Sequence, residues 1–145
     1  MAFRFEPLLE LRKNRENLVQ RELGRVHAHL QTQQEFLDSI DREENTTRLD
    51  YDRRIHKDMD INTRILFENY FSALKQKGNI QKMVLSEASA KREKKRQELA
   101  EAVKKRKTLD ILKERDFLLS RKRALKKETE QMDEAAISKW SRSTL

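Results

Sequence analysis

Residues 61–137 contain no proline and a single glycine, Gly78, so about 77 consecutive positions hold little that could break a helix. Read as one helix at roughly 1.5 Å per residue, the run spans about 115 Å, far too long to be the interior of a globule. Its apolar positions recur at intervals of three, four and seven, as at Leu99, Ala102 or Val103, Leu109, Leu112 and Leu119, with charged residues filling most positions between. That pattern leaves one narrow apolar stripe on a solvated cylinder. A stripe so narrow is buried only against another helix.

Composition supports long helices over a globule. Of 145 residues, 40% are charged and 36% apolar, too little hydrocarbon for a globular core of that size. Two glycines, one proline and heavy use of Leu, Glu, Lys, Arg and Ala lie close to a coiled-coil composition. Disordered chains are as polar, but they lack a sustained apolar spacing. There is no cysteine, hence no disulfide framework, thiolate metal site or cysteine nucleophile. His27 and His29 fall on different sides of a helix and His56 stands alone, which argues against a metal site. No phosphate-binding glycine loop or nucleophile motif occurs, and paired helices offer no cleft for catalysis. The reading is a non-enzyme without a cofactor. The opening residues hold no apolar run of signal-peptide length, and nowhere do about 18 apolar residues follow one another, which places the protein in the cytosol with membrane association only through partners.

Phe3 and Phe5 form an extended lead-in, and Pro7 suits the first turn of a helix, where its missing N–H costs nothing. Leu8, Leu9, Leu11, Leu18 and Val19 begin an apolar face. A seven-residue repeat follows, with one core line at Val19, Val26, Gln33, Ile40 and Thr47 and the other at Leu23, Leu30, Leu37, Glu44 and Tyr51. The seam weakens over residues 41–54, and Asp58, Asp60, Asn62 and Thr63 can cap a helix N-terminus. The spacing therefore predicts helix one over about 7–56, a turn at about 57–62, helix two over about 62–138 and a frayed tail over 139–145. Helix two opens with a broad apolar patch of Ile65, Leu66, Phe67, Tyr70, Phe71 and Leu74. Folding about Met59 sets Tyr51 opposite Phe67, Leu37 opposite Ile80, Leu30 opposite Ala88 and Val19 opposite Leu99. Gly78-Asn79 is a rival turn.

The predicted fold is all-α: one domain over residues 1–145, a long antiparallel two-helix coiled-coil hairpin with a protruding C-terminal helix, monomeric in solution. Helix one ends near Pro7, which pairs with about residue 110, while helix two runs on. Ile111, Leu118, Leu125 and Met132 then repeat every seven residues, with Leu112 and Leu119 beside them and Arg121, Lys122, Arg123, Lys126 and Lys127 around them. Such a stripe is a surface for another protein, or for a second copy. Trp140 is a further candidate anchor in the polar tail.

Charge is concentrated in the same helix. Residues 91–127 hold 16 Lys or Arg against 6 Asp or Glu, an excess of ten in a chain whose net charge is +8, so the remainder carries −2. A field so placed favours an acidic protein surface, nucleic acid or an anionic membrane. Lys91, Arg92 and Lys94 to Arg96, with Lys104 to Lys107, imitate a coiled-coil DNA reader. They lack a base-reading Asn and are interleaved with Leu99, Val103 and Leu109, which the hairpin seam needs.

The two ends also resemble a known family. Phe3-Arg4-Phe5-Glu6-Pro7-Leu8-Leu9-Glu10-Leu11-Arg12 is similar to the opening of the FliJ family of flagellar type III export proteins. Lys104 to Lys107 with Leu112-Lys113-Glu114-Arg115, and Met132-Asp133-Glu134-Ala135-Ala136, match its later segments in order and spacing. The resemblance implies an antiparallel two-helix stalk at the cytoplasmic face of the inner-membrane export apparatus. That stalk would insert into the hexameric export ATPase, promote its activity and link it to the export gate and to export chaperones. The partner-binding residues it carries over are Leu8, Leu9, Leu11 and Arg12 on the first helix, and Leu112, Arg115, Leu119, Arg123, Met132, Asp133 and Glu134 on the second. Ile111, Leu118 and Leu125 join them from the stripe. An injectisome stalk or a basic nucleic-acid-binding coiled coil shares enough of the pattern to stand as an alternative.

Overall fold

The computed structural model describes residues 2–144. Two helices make up nearly all of it, α1 over Glu6–Ile55 and α2 over Ile61–Ser143, and the described residues contain no strand. The predicted lead-in and tail each include one residue, Met1 and Leu145, that lies outside the described residues.

The helix ends follow from local chemistry. The Glu6 N–H donates to the Phe3 carbonyl at 3.1 Å and the Leu9 N–H to the Phe5 carbonyl at 2.9 Å, closing the first turn with Pro7 inside it. Glu6 stands in that first turn and Arg53 and Arg54 in the last turn of α1, each sign suited to the helix dipole. After Ile55 the Lys57 N–H donates to Arg54 at 3.0 Å, and Asp58 takes a positive φ of 28°, a conformation that Asp tolerates better than most residues. Asp60 then precedes α2, its carbonyl accepting the Arg64 N–H at 3.0 Å. The turn lies at residues 56–60, and α2 passes through Gly78 without a break, which removes the rival turn at Gly78-Asn79. At its far end α2 continues to Ser143, beyond residue 138, with no glycine or proline there to stop it.

The chain divides into two compact units, one built from residues 18–100 and the other from 2–17 with 101–144. The first contains the turn. In it α1 and α2 run antiparallel around a core of Val19, Leu37, Ile40, Leu74 and Ala88. All ten core-line positions predicted on α1 are buried or half-buried. Fully burying a side chain such as Val19 contributes about 1.5–3 kcal/mol. Near the turn, Tyr51 meets Phe67 edge-on at 5.3 Å and Phe71 at 5.8 Å between ring centroids. The predicted pairing of Tyr51 with Phe67 is therefore present.

Two features of this unit differ from the sequence reading. Ile80, set opposite Leu37 by the predicted register, is 60% exposed, while Gln81 is buried at 6%. The seam spacing through Leu74, Gly78, Gln81, Leu85 and Ala88 dictates this, because Ile80 falls one residue off the inward line. Gln81 is tolerated there since its amide donates to the Gln33 carbonyl at 2.9 Å and to Gln33 Oε1 at 2.8 Å. The broad patch after the turn is also only partly inward: Phe67 and Phe71 are half-buried and Leu74 buried, but Ile65 and Leu66 are exposed. Tyr70 reaches Glu43 of α1 with its hydroxyl, and this hydrogen bond to a carboxylate pushes the phenol pKa upward.

Gly78 is buried, adopts no positive φ, and a Cβ added to it would meet Ile40 Cγ2 at 3.9 Å, an ordinary van der Waals contact. Gly78→Ala should therefore raise stability by about 0.5–1 kcal/mol, since helix propensity and unfolded-state entropy both favour Ala. A thermal melt followed by circular dichroism measures it, with an upward shift in Tm as the expected result.

Candidate partner-binding surface

The second unit pairs the start of α1 with α2 from Glu101 onward. Its seam continues the seven-residue spacing, but with few apolar members. Leu9 is fully buried, with Ala102 and Leu109 close behind, and the layers between them are charged. Arg106 of α2 binds Glu16 of α1 and, at 2.6 Å, Asp110 of its own helix. Lys113 lies 2.9 Å from Glu6. Arg12 is half-buried in the same seam. These layers favour the antiparallel register, because a slip of one heptad would set Glu6 opposite Ser120 or Glu16 opposite Leu99 in place of a cation.

The same solution appears in the other unit. There Lys95 Nζ sits 2.7 Å from Glu22 and 3.0 Å from Glu98. The hydrogen bond to Glu22, followed by that to Glu98, raises the ammonium pKa above its ordinary 10.5. A raised lysine pKa stabilises the fold fully below 10.5, and the contribution is lost only as pH rises through the higher folded value. At neutral pH the bridge is intact.

Beyond Lys113 the character of α2 changes. Every described residue from 114 to 144 is exposed. The stripe lies on a different face from the seam: at 3.6 residues per turn Ile111 sits about 200° round the helix from Leu109. Ile111, Leu118 and Leu125 are 57%, 55% and 56% exposed, and Met132 and Trp140 more so. Leu112 and Leu119 border this line and are partly shielded, since Phe3 and Phe5 join them around a shallow cleft of about 250 Å³. The aromatic lead-in thus stands beside the stripe, a neighbour for Leu119 that the sequence reading did not supply. On α1, Leu8 and Leu11 face outward from the seam, while Leu9 belongs to the core.

Arg115, Arg123, Asp133 and Glu134, all among the predicted partner-binding residues, are exposed on the same stretch of α2. Among the described residues no cluster of His, Cys, Asp or Glu could hold a metal ion, and no helix is long and apolar enough to cross a membrane.

The family model described as "Flagellar FliJ protein" matches residues 1–145, the whole chain. The chain belongs to the FliJ family. That membership makes it a flagellar export-related protein of a family whose members are non-enzymatic components of the export apparatus. No curated protein and no solved structure matches it. The FliJ resemblance of the two ends is therefore carried by the chain as a whole.

Sequence reasoning missed the charged seam of this unit, because a search for apolar repeats passes over Arg12 and Glu16. The signal was nonetheless present: extending the α1 core lines one heptad back from Val19 and Leu23 lands on those two residues. Glu16→Gln removes the carboxylate facing Arg106 and should loosen the start of α1. Hydrogen exchange of the amides over residues 8–17 should accelerate several-fold, with those near Tyr51 and Phe67 unchanged.

Proposed function

We propose that this FliJ-family chain is a non-enzymatic stalk of the flagellar export apparatus. It docks into the hexameric export ATPase, promotes its activity and couples it to the export gate and to export chaperones. In this reading the chain is a monomer of one coiled-coil domain, held at the cytoplasmic face of the inner membrane through its partners, and the C-terminal part of α2 protrudes from the hairpin. The observation that carries it is the line of exposed aliphatics at Ile111, Leu118, Leu125 and Met132. A soluble helix that leaves such a line uncovered over several turns is suited to a partner's surface.

Leu112, Arg115, Leu119, Arg123, Asp133 and Glu134 complete the docking surface on α2, with Leu8, Leu11 and Arg12 contributing from α1. Leu9 is left out, since its side chain is fully buried in the seam, whereas Arg12, only half-buried there, keeps part of its side chain at the surface. A role in reading nucleic acid is less well supported. Three of the cations in the basic segment, Lys95, Arg106 and Lys113, are already engaged by carboxylates of α1. Family membership likewise favours the flagellar system over an injectisome.

Leu125→Asp separates docking from folding. Leu125 is exposed, so the isolated variant should melt as the parent does, while a charge placed in the docked interface should cost several kcal/mol and abolish stimulation of the export ATPase. Leu37→Asp should do the reverse, lowering Tm sharply by placing a carboxylate in the core. ATP turnover with added chain, read beside a thermal melt of each variant, checks both. Full stimulation by folded Leu125→Asp would remove the stripe from the docking surface.

A further inference from the structure

The exposed stripe of α2 repeats the design of the seam that the chain already fills. In the seam of the second unit, Ala102, Arg106, Leu109 and Lys113 alternate apolar and basic residues at spacings of four and three, and each cation meets a carboxylate of the antiparallel helix, Glu16 for Arg106 and Glu6 for Lys113. The outer face carries the same alternation: Ile111, Arg115, Leu118, Lys122, Leu125. Its spacings of four and three are identical, and the order of apolar and basic positions is retained.

What differs is the answer to the cations. Arg115 and Lys122 are exposed, and neither takes part in an ion pair with any described residue. The two lines that make up this face, residues 104, 111, 118, 125 and 132 with residues 108, 115, 122, 129 and 136, hold no Asp or Glu at all. Carboxylates occur on the flanks of α2, at Glu114, Asp116 and Glu128, so their absence from these two lines does not reflect a shortage of acid in the segment. An apolar helix laid on this face would bury Arg115 and Lys122 unpaired, at high cost. A basic one would add like-charge repulsion.

We infer that the partner segment on this face is an acidic amphipathic helix, with an aliphatic residue opposite each of Ile111, Leu118 and Leu125 and a Glu or Asp opposite Arg115 and Lys122. The inference rests on the docking reading given above and specifies the chemistry of the partner. It makes the interface a second copy of the internal seam, built with a helix from another chain. Recognition is then two-part. The aliphatic line supplies affinity without direction, and the two cations select register and partner.

The test uses the full chain and two synthetic helical peptides of about four heptads. Both carry Leu on one core line; the other line is Glu in one peptide and Lys in its counterpart. The expected result is binding of the Glu peptide at least about tenfold tighter than the Lys peptide, weakening as salt rises. The double variant Arg115→Glu with Lys122→Glu should reverse that preference while keeping the parent's melting temperature, since both side chains are exposed and unpaired. Equal affinity for the two peptides, or a preference that the double variant leaves unchanged, overturns the inference. So does binding confined to phosphatidylcholine vesicles containing about a quarter phosphatidylglycerol, which would assign the face to an anionic lipid surface. ATPase stimulation by the same proteins keeps the two readings apart. Stimulation lost in Leu125→Asp without any preference for the Glu peptide upholds docking and sinks the acidic helix. A clear Glu preference with stimulation intact in every variant upholds the acidic helix and sinks docking to the ATPase.

Discussion

A cation half-buried between two helices is best answered by a carboxylate on the opposing helix, and this constraint runs the length of the seam. A Lys or Arg left unpaired in a half-buried seam loses its partner without gaining full hydration, so pairs such as Glu22 with Lys95 and Glu16 with Arg106 favour one antiparallel register over its neighbours. The apolar layers at Leu9, Val19, Ile40 and Leu74 supply most of the driving force, yet a seven-residue repeat of aliphatics alone would tolerate a slip by one heptad. The charged layers weigh against that slip. They also explain how a chain so rich in Lys and Arg folds without a broad core: part of its charge is structural.

Much of this was legible in the sequence. The core lines of α1 from Val19 to Tyr51 were read from spacing alone, because burial against one neighbouring helix imposes a strict periodicity on apolar residues. The turn near Met59 was legible from the polar capping residues around it, and the pairing of Tyr51 with Phe67 follows from the turn. Harder to read were the places where spacing and polarity disagree. Gln81 is inward and Ile80 outward because the heptad phase, and not hydrophobicity, decides which residue faces α1. Arg12, Glu16, Arg106 and Lys113 occupy seam positions that no apolar residue marks. Extending the heptad lines past their apolar members, and matching opposite charges on the two helices, is what finds them.

The candidate surface was legible to a different degree. Its aliphatic line from Ile111 to Met132 stands out in the sequence as a second seven-residue repeat, rotated away from the seam. Leu9 illustrates the limit of that reading. Its neighbours Leu8 and Leu11 face outward, but the seam claims Leu9, a distinction that depends on the phase of α1 at its very start. The position of Phe3 and Phe5 beside Leu112 and Leu119 was equally hidden, since no periodicity governs a lead-in that precedes the first helix. FliJ membership supplies the system, flagellar export, while the role proposed for this surface rests on its exposed residues.

The central claim is that α2 carries two seams on different faces, an inner one closed by α1 and an outer one left for the export apparatus. Photo-crosslinking tests it most directly, with a benzophenone side chain placed singly at each position from residue 111 to 132 and the export ATPase as partner. The account expects crosslinks that rise and fall with a seven-residue period and peak at Ile111, Leu118, Leu125 and Met132. Peaks at Asp116, Ser120, Lys127 and Glu130, which continue the inner seam, would contradict it, as would a uniform yield along the helix.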